Sequence, residues 1–196
     1  MYLVLVTGFL GSGKTSLILG VAEAARAAER SVAIVVNEIG EVGVDDQLLK
    51  RLDLDVWELT NGCICCSLSG DLVETLHTLD RDYKPDLVIV EASGAADPAS
   101  LVAALPLYRG GELAGTRWLV VLDPFRLPML VQVMTPLVTS AIELADRVVV
   151  AKADVASGEE LAATEAIAAE INPDVLVLRL DLTKPLSAAA IRELLP

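Results

Sequence analysis

The sequence contains few aromatic residues, which account for only 4% of the chain although 54% of its 196 residues are hydrophobic. A core with so few large rings has to be filled by Val, Ile, Leu and Ala, as in parallel sheets that helices cover. A chain of this length most often forms one domain with a sizeable core. We therefore expect a single α/β domain over residues 1–196.

The chain also lacks a long apolar run and an excess of positive charge. No apolar stretch reaches the roughly 18 residues that a membrane-spanning helix needs. A strand pattern begins directly after Met1, so we expect a cytoplasmic protein without a leader or a membrane partner. The 15 Lys and Arg residues against 28 Asp and Glu residues give a net charge of −13. Such a surface argues against nucleic acid as a partner, but a local nest of backbone N–H groups can still bind a nucleotide.

Cysteine is confined to one place, because all three cysteines lie between residues 63 and 66. A disulfide framework would spread them along the chain, so the cluster indicates metal or redox chemistry. Thiolates bind Zn²⁺, Ni²⁺, Co²⁺ or Cu⁺. Cys63, Cys65 and Cys66 do not close a four-thiolate site, so we predict an open, exchangeable site that Glu38, Glu41, water or a second copy of the chain completes. The alternative is that some of these cysteines are small buried hydrophobes.

A glycine-rich motif follows the apolar run Tyr2–Val6. Residues 8–15 read Gly-Phe-Leu-Gly-Ser-Gly-Lys-Thr, which is the pattern of a phosphate-binding loop between a strand and a helix. The glycines let N–H groups approach a phosphate chain, and the helix adds the positive end of its dipole. Lys14 would reach the β- and γ-phosphates, and the Thr15 hydroxyl would bind Mg²⁺. The predicted nucleotide contacts are Gly8, Gly11, Ser12, Gly13, Lys14, Thr15 and Ser16.

Two further segments carry acids where a triphosphate and its metal would need them. Glu91 ends a buried apolar strand and could hold Mg²⁺, while Gly94 leaves room for its N–H to face a γ-phosphate. Residues 37–46 contain four carboxylates and two glycines, which favours a switch loop over a plain solvated loop. One of these carboxylates could order the attacking water. The candidate catalytic residues are Lys14, Glu38 and Asp45.

The segment Ala151-Lys152-Ala153-Asp154 follows another predicted strand. The Asp154 carboxylate could accept hydrogen bonds from N1–H and the 2-amino group of guanine, two donors that adenine lacks. The Lys152 stem could cover the purine face. The alternative is an ordinary turn with two charges. His77, the only histidine, lies in a helical pattern, and a lone helical histidine is more often structural than a metal ligand.

Apolar runs alternate with helical patterns along the chain, which predicts a mostly parallel central sheet with helices on both faces and a nucleotide at the carboxyl ends of the strands. Strands are predicted at Tyr2–Thr7, Val32–Asn37, Val56–Leu59, Leu87–Glu91, Trp118–Leu122, Arg147–Ala151 and Val175–Leu178. Helices are predicted at Lys14–Ala28, Leu68–Leu79, Pro98–Leu105, Pro136–Leu144, Glu159–Ile171 and Ser187–Leu195. The Gly-rich stretch Tyr108–Thr116 is predicted to be an exposed loop, and the apolar stretch Asp123–Met134 a lid or a face that meets another chain.

With these motifs in order, the chain resembles the CobW-like GTPases, a metallochaperone family within the SIMIBI class of P-loop NTPases. The similarity runs from the phosphate loop through Asn-Glu-Ile-Gly-Glu and Gly-Cys-Ile-Cys-Cys to Glu-Ala-Ser-Gly and Ala-Lys-Ala-Asp. The resemblance implies a GTPase that carries Zn²⁺, Co²⁺ or Ni²⁺ to a metalloenzyme or a cofactor pathway. It implies Gly8–Thr15 on the phosphates, Thr15 and Glu91 near Mg²⁺, and the three cysteines as metal ligands. Glu38 and Glu41 would belong to the switch and share the metal.

Two features depart from the family pattern. Ala151 stands where the base-reading motif usually has Asn, which would weaken selectivity for guanine. The chain ends at Pro196, so we expect a bare GTPase domain without the C-terminal domain of many members.

No motif supplies an arginine for the transition state, so we expect slow turnover and a nucleotide-dependent homodimer or stimulation by a partner. The alternatives are a nucleotide-dependent assembly module without metal transfer and a P-loop small-molecule kinase.

Overall fold

The computed structural model describes residues 1–36, 55–58, 68–92 and 98–195. Its strands form one sheet in the order β3-β2-β4-β1-β5-β6-β7, and every pairing between them is parallel. The strands are β1 (Tyr2–Gly8), β2 (Val32–Val36), β3 (Asp55–Glu58), β4 (Leu87–Glu91), β5 (Gly115–Leu122), β6 (Arg147–Val150) and β7 (Leu176–Arg179).

Helices connect these strands, as parallel pairing requires. They are α1 (Lys14–Ala27), α2 (Leu68–Thr78), α3 (Pro98–Ala104), α4 (Leu127–Val133), α5 (Thr135–Glu143), α6 (Gly158–Ile171) and α7 (Ala188–Leu194). A π-helical turn (Leu79–Tyr83) continues α2, and a 3₁₀ turn (Leu105–Leu107) continues α3. No helix within the described ranges is both long and apolar enough to cross a bilayer.

The sheet has an apolar core on each face. Successive residues of a strand point to opposite faces, so Leu3 and Leu5 of β1 belong to one core while Val4 and Val6 belong to the other. Helices α1 and α7 pack on the second face, and α2 to α6 supply buried residues to the first. Both faces are therefore covered, and the predicted α/β architecture is confirmed.

The seven predicted strands and six predicted helices are present, with ends that shift by a few residues. The loop predicted at Tyr108–Thr116 is wrong at both ends. Gly115 and Thr116 begin β5 because they pair with Tyr2 and Leu3 of β1, and Tyr108 is buried against the ring of His77.

The pattern also missed helix α4 inside the predicted lid segment. Its proline lies in the first turn, where the missing N–H costs nothing because that N–H has no partner within the helix.

Candidate nucleotide-binding site

The predicted phosphate loop joins the central strand β1 to helix α1. Strands β4 and β5 pair with β1 on its two sides, and β6 pairs with β5. The carboxyl ends of these parallel strands meet at one edge of the sheet. The structure therefore brings the phosphate loop together with Glu91, which ends β4, and with Lys152, which follows β6.

Gly8 ends β1 and turns the chain into the phosphate loop. Its φ is +151°, a value that side-chain-bearing residues rarely adopt. A Cβ on Gly8 would lie 2.6 Å from the carbonyl oxygen of Val121 and 2.8 Å from Oγ of Ser12. Because Val121 is the register partner of Gly8 in the neighbouring strand, that carbonyl cannot retreat. Only glycine fits this position.

The start of α1 is built to receive an anion. Gly13 is the N-cap residue at φ +104°, no side chain of the described residues caps the helix, and the first turn carries no acid. The first N–H groups and the positive end of the dipole are thus left for a ligand. Ser12 is buried, and its hydroxyl has no hydrogen-bond partner in the described part of the chain. Thr15 is half-buried in the first turn and Ser16 is exposed.

The ammonium group of Lys14 lies over the loop. Nζ is 3.4 Å from the carbonyl oxygen of Phe9 and 3.7 Å from Oε1 of Glu91. The side chain of Lys14 is 9% exposed and that of Glu91 is 18% exposed, so the pair lies in a recess with a path to solvent. Glu91 supplies a carboxylate and Thr15, the residue after Lys14, supplies a hydroxyl, and such oxygen atoms are the ligands that Mg²⁺ prefers. The residues present therefore fit both a phosphate chain and its magnesium ion.

The Ala151–Asp154 segment borders the other side of the loop. Ala151 is buried, and its Cβ lies 3.5 Å from where a Cβ on Gly13 would stand. Lys152 has a φ of +57°, and its Nζ is 2.6 Å from Oδ2 of Asp123. Asp154 is exposed. The segment is thus held at both its buried end and its lysine, while Asp154 stays accessible.

Two groups at this edge were not predicted from the sequence. The loop after β7 approaches Gly13, since Cδ1 of Leu182 lies 3.3 Å from the Cβ position there, and Leu180 accepts a hydrogen bond from Ala153 N–H at 3.3 Å. Arg126, in the turn after β5, donates to the carbonyl of Leu10. Their position after the ends of strands was the available signal, because neither belongs to a motif.

Charged residues in the loop after β7 lie near Asp154. The hydrogen bonds from Lys184 and then Thr183 lower the pKa of Asp181 to about 2. Asp181 in turn raises the pKa of Lys184, and Asp154 adds a smaller contribution of the same sign. Lys184 therefore lies within electrostatic reach of Asp154.

Several predicted site residues lie outside the described residues: Glu38, Glu41, Asp45, Cys63, Cys65, Cys66 and Gly94. In the ranges that are described, no group of three His, Cys, Asp or Glu side chains could hold a metal ion. His77 has a structural partner, because its Nε2 accepts the N–H of Arg109 at 3.4 Å. Its ring centroid lies 4.8 Å from that of Tyr108, which agrees with the structural role expected of a lone helical histidine.

Known proteins resemble this chain in both sequence and fold. A family model described as "CobW/HypB/UreG, nucleotide-binding domain" matches residues 2–179. The zinc chaperone CobW of a Sinorhizobium species is 41% identical over 106 residues, which are 50% of this chain and 29% of that protein. The zinc chaperone YjiA of Escherichia coli is 33% identical over 166 residues, which are 80% of this chain and 50% of that protein. The chain thus spans half or less of the length of these relatives.

Solved structures share the fold at lower identity. The hydrogenase maturation factor HypB of Archaeoglobus fulgidus superimposes with a TM-score of 0.65 at 20% identity, covering 98% of this chain and 86% of that one. The Zn(II)-bound YjiA GTPase of Escherichia coli superimposes with a TM-score of 0.64 at 22% identity, covering 97% of this chain and 60% of that one. At these identities the likeness establishes the parallel α/β architecture.

Proposed function

The chain belongs to the CobW/HypB/UreG nucleotide-binding family, and on that premise we propose that it is a GTPase whose nucleotide state controls the binding and delivery of a transition metal. One observation supports the nucleotide part of the proposal: the buried Lys14 and the uncapped start of α1 both lie at the glycine-rich phosphate loop. This arrangement leaves positive charge and N–H donors aimed at one recess, next to the carboxylate of Glu91.

Binding of the triphosphate would use the phosphate loop and the side chains around it. The loop N–H groups and the ammonium of Lys14 would hold the β- and γ-phosphates. Thr15 and Glu91 would hold Mg²⁺, which would stabilise the negative charge that develops on the transferring phosphoryl group. Glu38 or Asp45 would orient the attacking water, with Gly94 donating its N–H to the γ-phosphate. We expect slow intrinsic turnover.

The Ala151–Asp154 segment, which borders Gly13, would select guanine. Asp154 is exposed and belongs to the segment whose buried Ala151 approaches Gly13. The stem of Lys152 would cover the purine, with its ammonium held by Asp123. Because Ala151 supplies no amide, we expect the preference for guanine over adenine to rest on Asp154 alone.

The metal would be cargo, held by Cys63, Cys65 and Cys66 with help from Glu38 and Glu41. Two relatives are named zinc chaperones, so Zn²⁺ is the first metal to test, and Co²⁺ and Ni²⁺ suit the same thiolates. We propose that nucleotide and metal bind with a reciprocal coupling free energy of about 1–3 kcal/mol. The recipient would be a metalloenzyme or a cofactor pathway in the cytoplasm.

Self-association is part of this proposal, and the surface that supports it lies beside the phosphate loop. Phe125, Met129 and Val133 are 47%, 53% and 67% exposed, and Leu10 at the tip of the loop is 82% exposed. Residues 124–142 contain no Asp or Glu, although the chain carries a net charge of −13. Two copies would repel each other through most of their surfaces, so this acid-free apolar face is where a second copy would dock.

The test combines metal titration with nucleotide state on anaerobically purified protein. Zn²⁺ affinity is measured without nucleotide, with GDP and with a non-hydrolysable GTP analogue, and we expect it to differ between these states by about five- to 150-fold. Identical affinities would contradict the coupling. A variant with Cys65→Ser and Cys66→Ser is expected to lose Zn²⁺ binding and keep GDP binding, whereas unchanged Zn²⁺ binding would favour a nucleotide-dependent assembly module without metal transfer.

A further inference from the structure

Arg126 connects the turn after β5 to the phosphate loop. The side chain is exposed, yet its guanidinium donates from Nη1 to the carbonyl oxygen of Leu10, which lies 116 residues earlier in the chain. The same Nη1 lies 3.2 Å from the place where a Cβ on Gly11 would stand. The guanidinium therefore rests against the peptide that joins Leu10 to Gly11.

That peptide is the central one of a turn that Ser12 N–H closes on the carbonyl of Phe9 at 3.0 Å. This hydrogen bond does not involve the Leu10–Gly11 peptide itself, so it does not fix which way that peptide faces. Leu10 is 82% exposed, so packing does not restrain it. Gly11 has a φ of +74° and, as a glycine, has access to backbone conformations on both sides of zero. A flip of this peptide would thus meet little resistance from its own residues.

The planar peptide couples the direction of the Leu10 carbonyl to that of the Gly11 N–H. In a planar trans peptide the C=O and the N–H point in opposite directions. When Arg126 holds the Leu10 carbonyl on the outside of the loop, the Gly11 N–H is directed away from the guanidinium. A cation on the carbonyl oxygen also polarises the peptide and makes its N–H a stronger donor.

Arg126 is itself held in place by Asp123, which is 3% exposed. The backbone carbonyl of Asp123 accepts the N–H groups of Arg126 and Leu127 at 3.1 and 2.9 Å. Its carboxylate accepts the N–H of Phe125 at 3.0 Å and the ammonium of Lys152 at 2.6 Å. Asp123 therefore connects the turn that carries Arg126 to the Ala151–Asp154 segment.

We propose that Arg126 is a positioning residue for the phosphate loop, which keeps the Leu10–Gly11 peptide turned so that the Gly11 N–H faces the β-phosphate of a bound nucleotide. The proposal rests on the nucleotide-binding function proposed above. It assigns Arg126 to the shape of the loop and not to the γ-phosphate, so the diphosphate and the triphosphate should depend on it equally.

The test measures the affinities of GDP and of a non-hydrolysable GTP analogue for the wild type, Arg126→Ala and Arg109→Ala. Arg109 is a matched control, because it is an exposed arginine that donates to a backbone carbonyl, that of Pro106, at 2.9 Å. Loss of a charge-assisted hydrogen bond should weaken both nucleotides by about tenfold in Arg126→Ala. Arg109→Ala should bind both as the wild type does.

A direct readout is the amide resonance of Gly11 in an assigned ¹⁵N–¹H spectrum. In the wild type, GDP should move this resonance strongly downfield as the N–H donates to phosphate. In Arg126→Ala that shift should shrink by more than half, while the shifts of the Gly13 and Lys14 amides persist. Because the shift reports one hydrogen bond, a change in overall stability would not reproduce this pattern.

The outcomes separate the two proposals. If the wild type binds neither nucleotide, the proposed function fails. If the wild type binds and Arg126→Ala binds both nucleotides equally well, only the role of Arg126 fails. A loss confined to the GTP analogue would show that Arg126 acts on the triphosphate state and not on the shape of the loop. An unchanged Gly11 shift would show that Arg126 does not orient this peptide. Either result overturns the inference.

Discussion

Carboxylates stand at both edges of the sheet, but they face different partners. At the amino edge, Asp86 accepts the N–H and the hydroxyl of Ser31, each at 2.8 Å, and Asp146 accepts the N–H of Trp118 at 2.7 Å. At the carboxyl edge, Glu91 and Asp123 face the ammonium groups of Lys14 and Lys152, and Asp123 also accepts the N–H of Phe125.

The acids at the amino edge hold two segments of the fold together, whereas an acid paired with an ammonium group leaves that group available to a ligand. An acid on a backbone N–H satisfies a donor that would otherwise lose a partner, and nothing else competes for that donor. An ammonium group beside a carboxylate can exchange that partner for a phosphate without being left unpaired. Among these acids, those at the amino edge are thus expected to affect stability and leave nucleotide binding unchanged, whereas Glu91 at the carboxyl edge is expected to affect binding.

The largest expected effect comes from adding one carbon atom at the carboxyl edge. Gly8→Ala places a Cβ 2.6 Å from the Val121 carbonyl, so β1 and β5 have to move apart. We expect the free energy of unfolding to fall by about 3 kcal/mol or more and nucleotide binding to be lost. Urea denaturation and GDP titration measure the two effects.

The control for this variant is Gly70→Ala. Gly70 lies inside α2, and a Cβ there would meet nothing within 4 Å. Helix propensity predicts a stabilisation of about 0.5–1 kcal/mol for it. If the Gly8→Ala protein were as stable as the Gly70→Ala protein, the end of β1 would tolerate a side chain and this prediction would be wrong.

The second effect concerns the lysine charges at the two edges. Lys14→Ala is expected to weaken binding of a GTP analogue by about 100-fold, because the charge-assisted hydrogen bonds of its ammonium to the phosphates are lost. Lys84→Ala removes the same charge next to the amino edge, where Lys84 is exposed, and should leave the affinity unchanged. Equal losses in the two variants would mean that net charge alone draws the nucleotide.

A smaller effect is expected from the buried acid of the carboxyl edge. Asp123→Asn keeps an acceptor for Phe125 N–H but loses the ion pair with Lys152. Because the Lys152 side chain is 38% exposed, its ammonium can turn to water, which limits the loss of unfolding free energy to about 1–2 kcal/mol. Glu165→Gln, in the more exposed pair with Arg179, should cost about 0.5 kcal/mol or less. Urea denaturation measures both losses, and equal losses of unfolding free energy in the two variants would contradict the difference expected between a buried and an exposed ion pair.

The smallest effect belongs to the amino edge and disappears in acid. The N–H and then the hydroxyl of Ser31 hold the pKa of Asp86 below its usual value of 3.8. A carboxyl whose pKa is lower in the folded chain stabilises it above the unfolded pKa, and this contribution is lost as the pH falls through the folded pKa.

Asp86→Asn should therefore melt below the wild type at about pH 6, and the difference in Tm should shrink by about pH 3. Thermal denaturation at the two pH values checks this, and GDP affinity at neutral pH should be the same in both proteins. A difference in Tm that stays constant or grows in acid would exclude Asp86 as its source.

The sequence was most informative where chemistry and local backbone coincide. The phosphate loop could be predicted because its glycines, lysine and threonine are contiguous and lie between an apolar strand and a helical stretch. The strands could be predicted because burial on both faces leaves continuous apolar runs. The ends of loops could not be predicted in the same way, because they depend on distant partners. Gly115 is a strand residue because Tyr2 pairs with it.

Contacts between distant segments left no local signal. Arg126 reaches Leu10 across 116 residues, and Lys152 reaches Asp123 across 29. Nothing in the residues around Arg126 distinguishes it from an ordinary surface arginine, so its place at the phosphate loop follows from the strand order alone. The same holds for Leu182, whose side chain approaches Gly13 only because β7 lies beside β6.

The central position of β1 has a consequence for synthesis on the ribosome. The phosphate loop is made before its supporting neighbours β4 and β5, which begin only at Leu87 and Gly115. Parallel pairing over such separations is slow to form, because long loops must close before any contact is gained. The nascent chain should therefore gain affinity for nucleotide only after Leu122 has left the exit tunnel, and a chain released earlier would expose an unsupported apolar strand to chaperones.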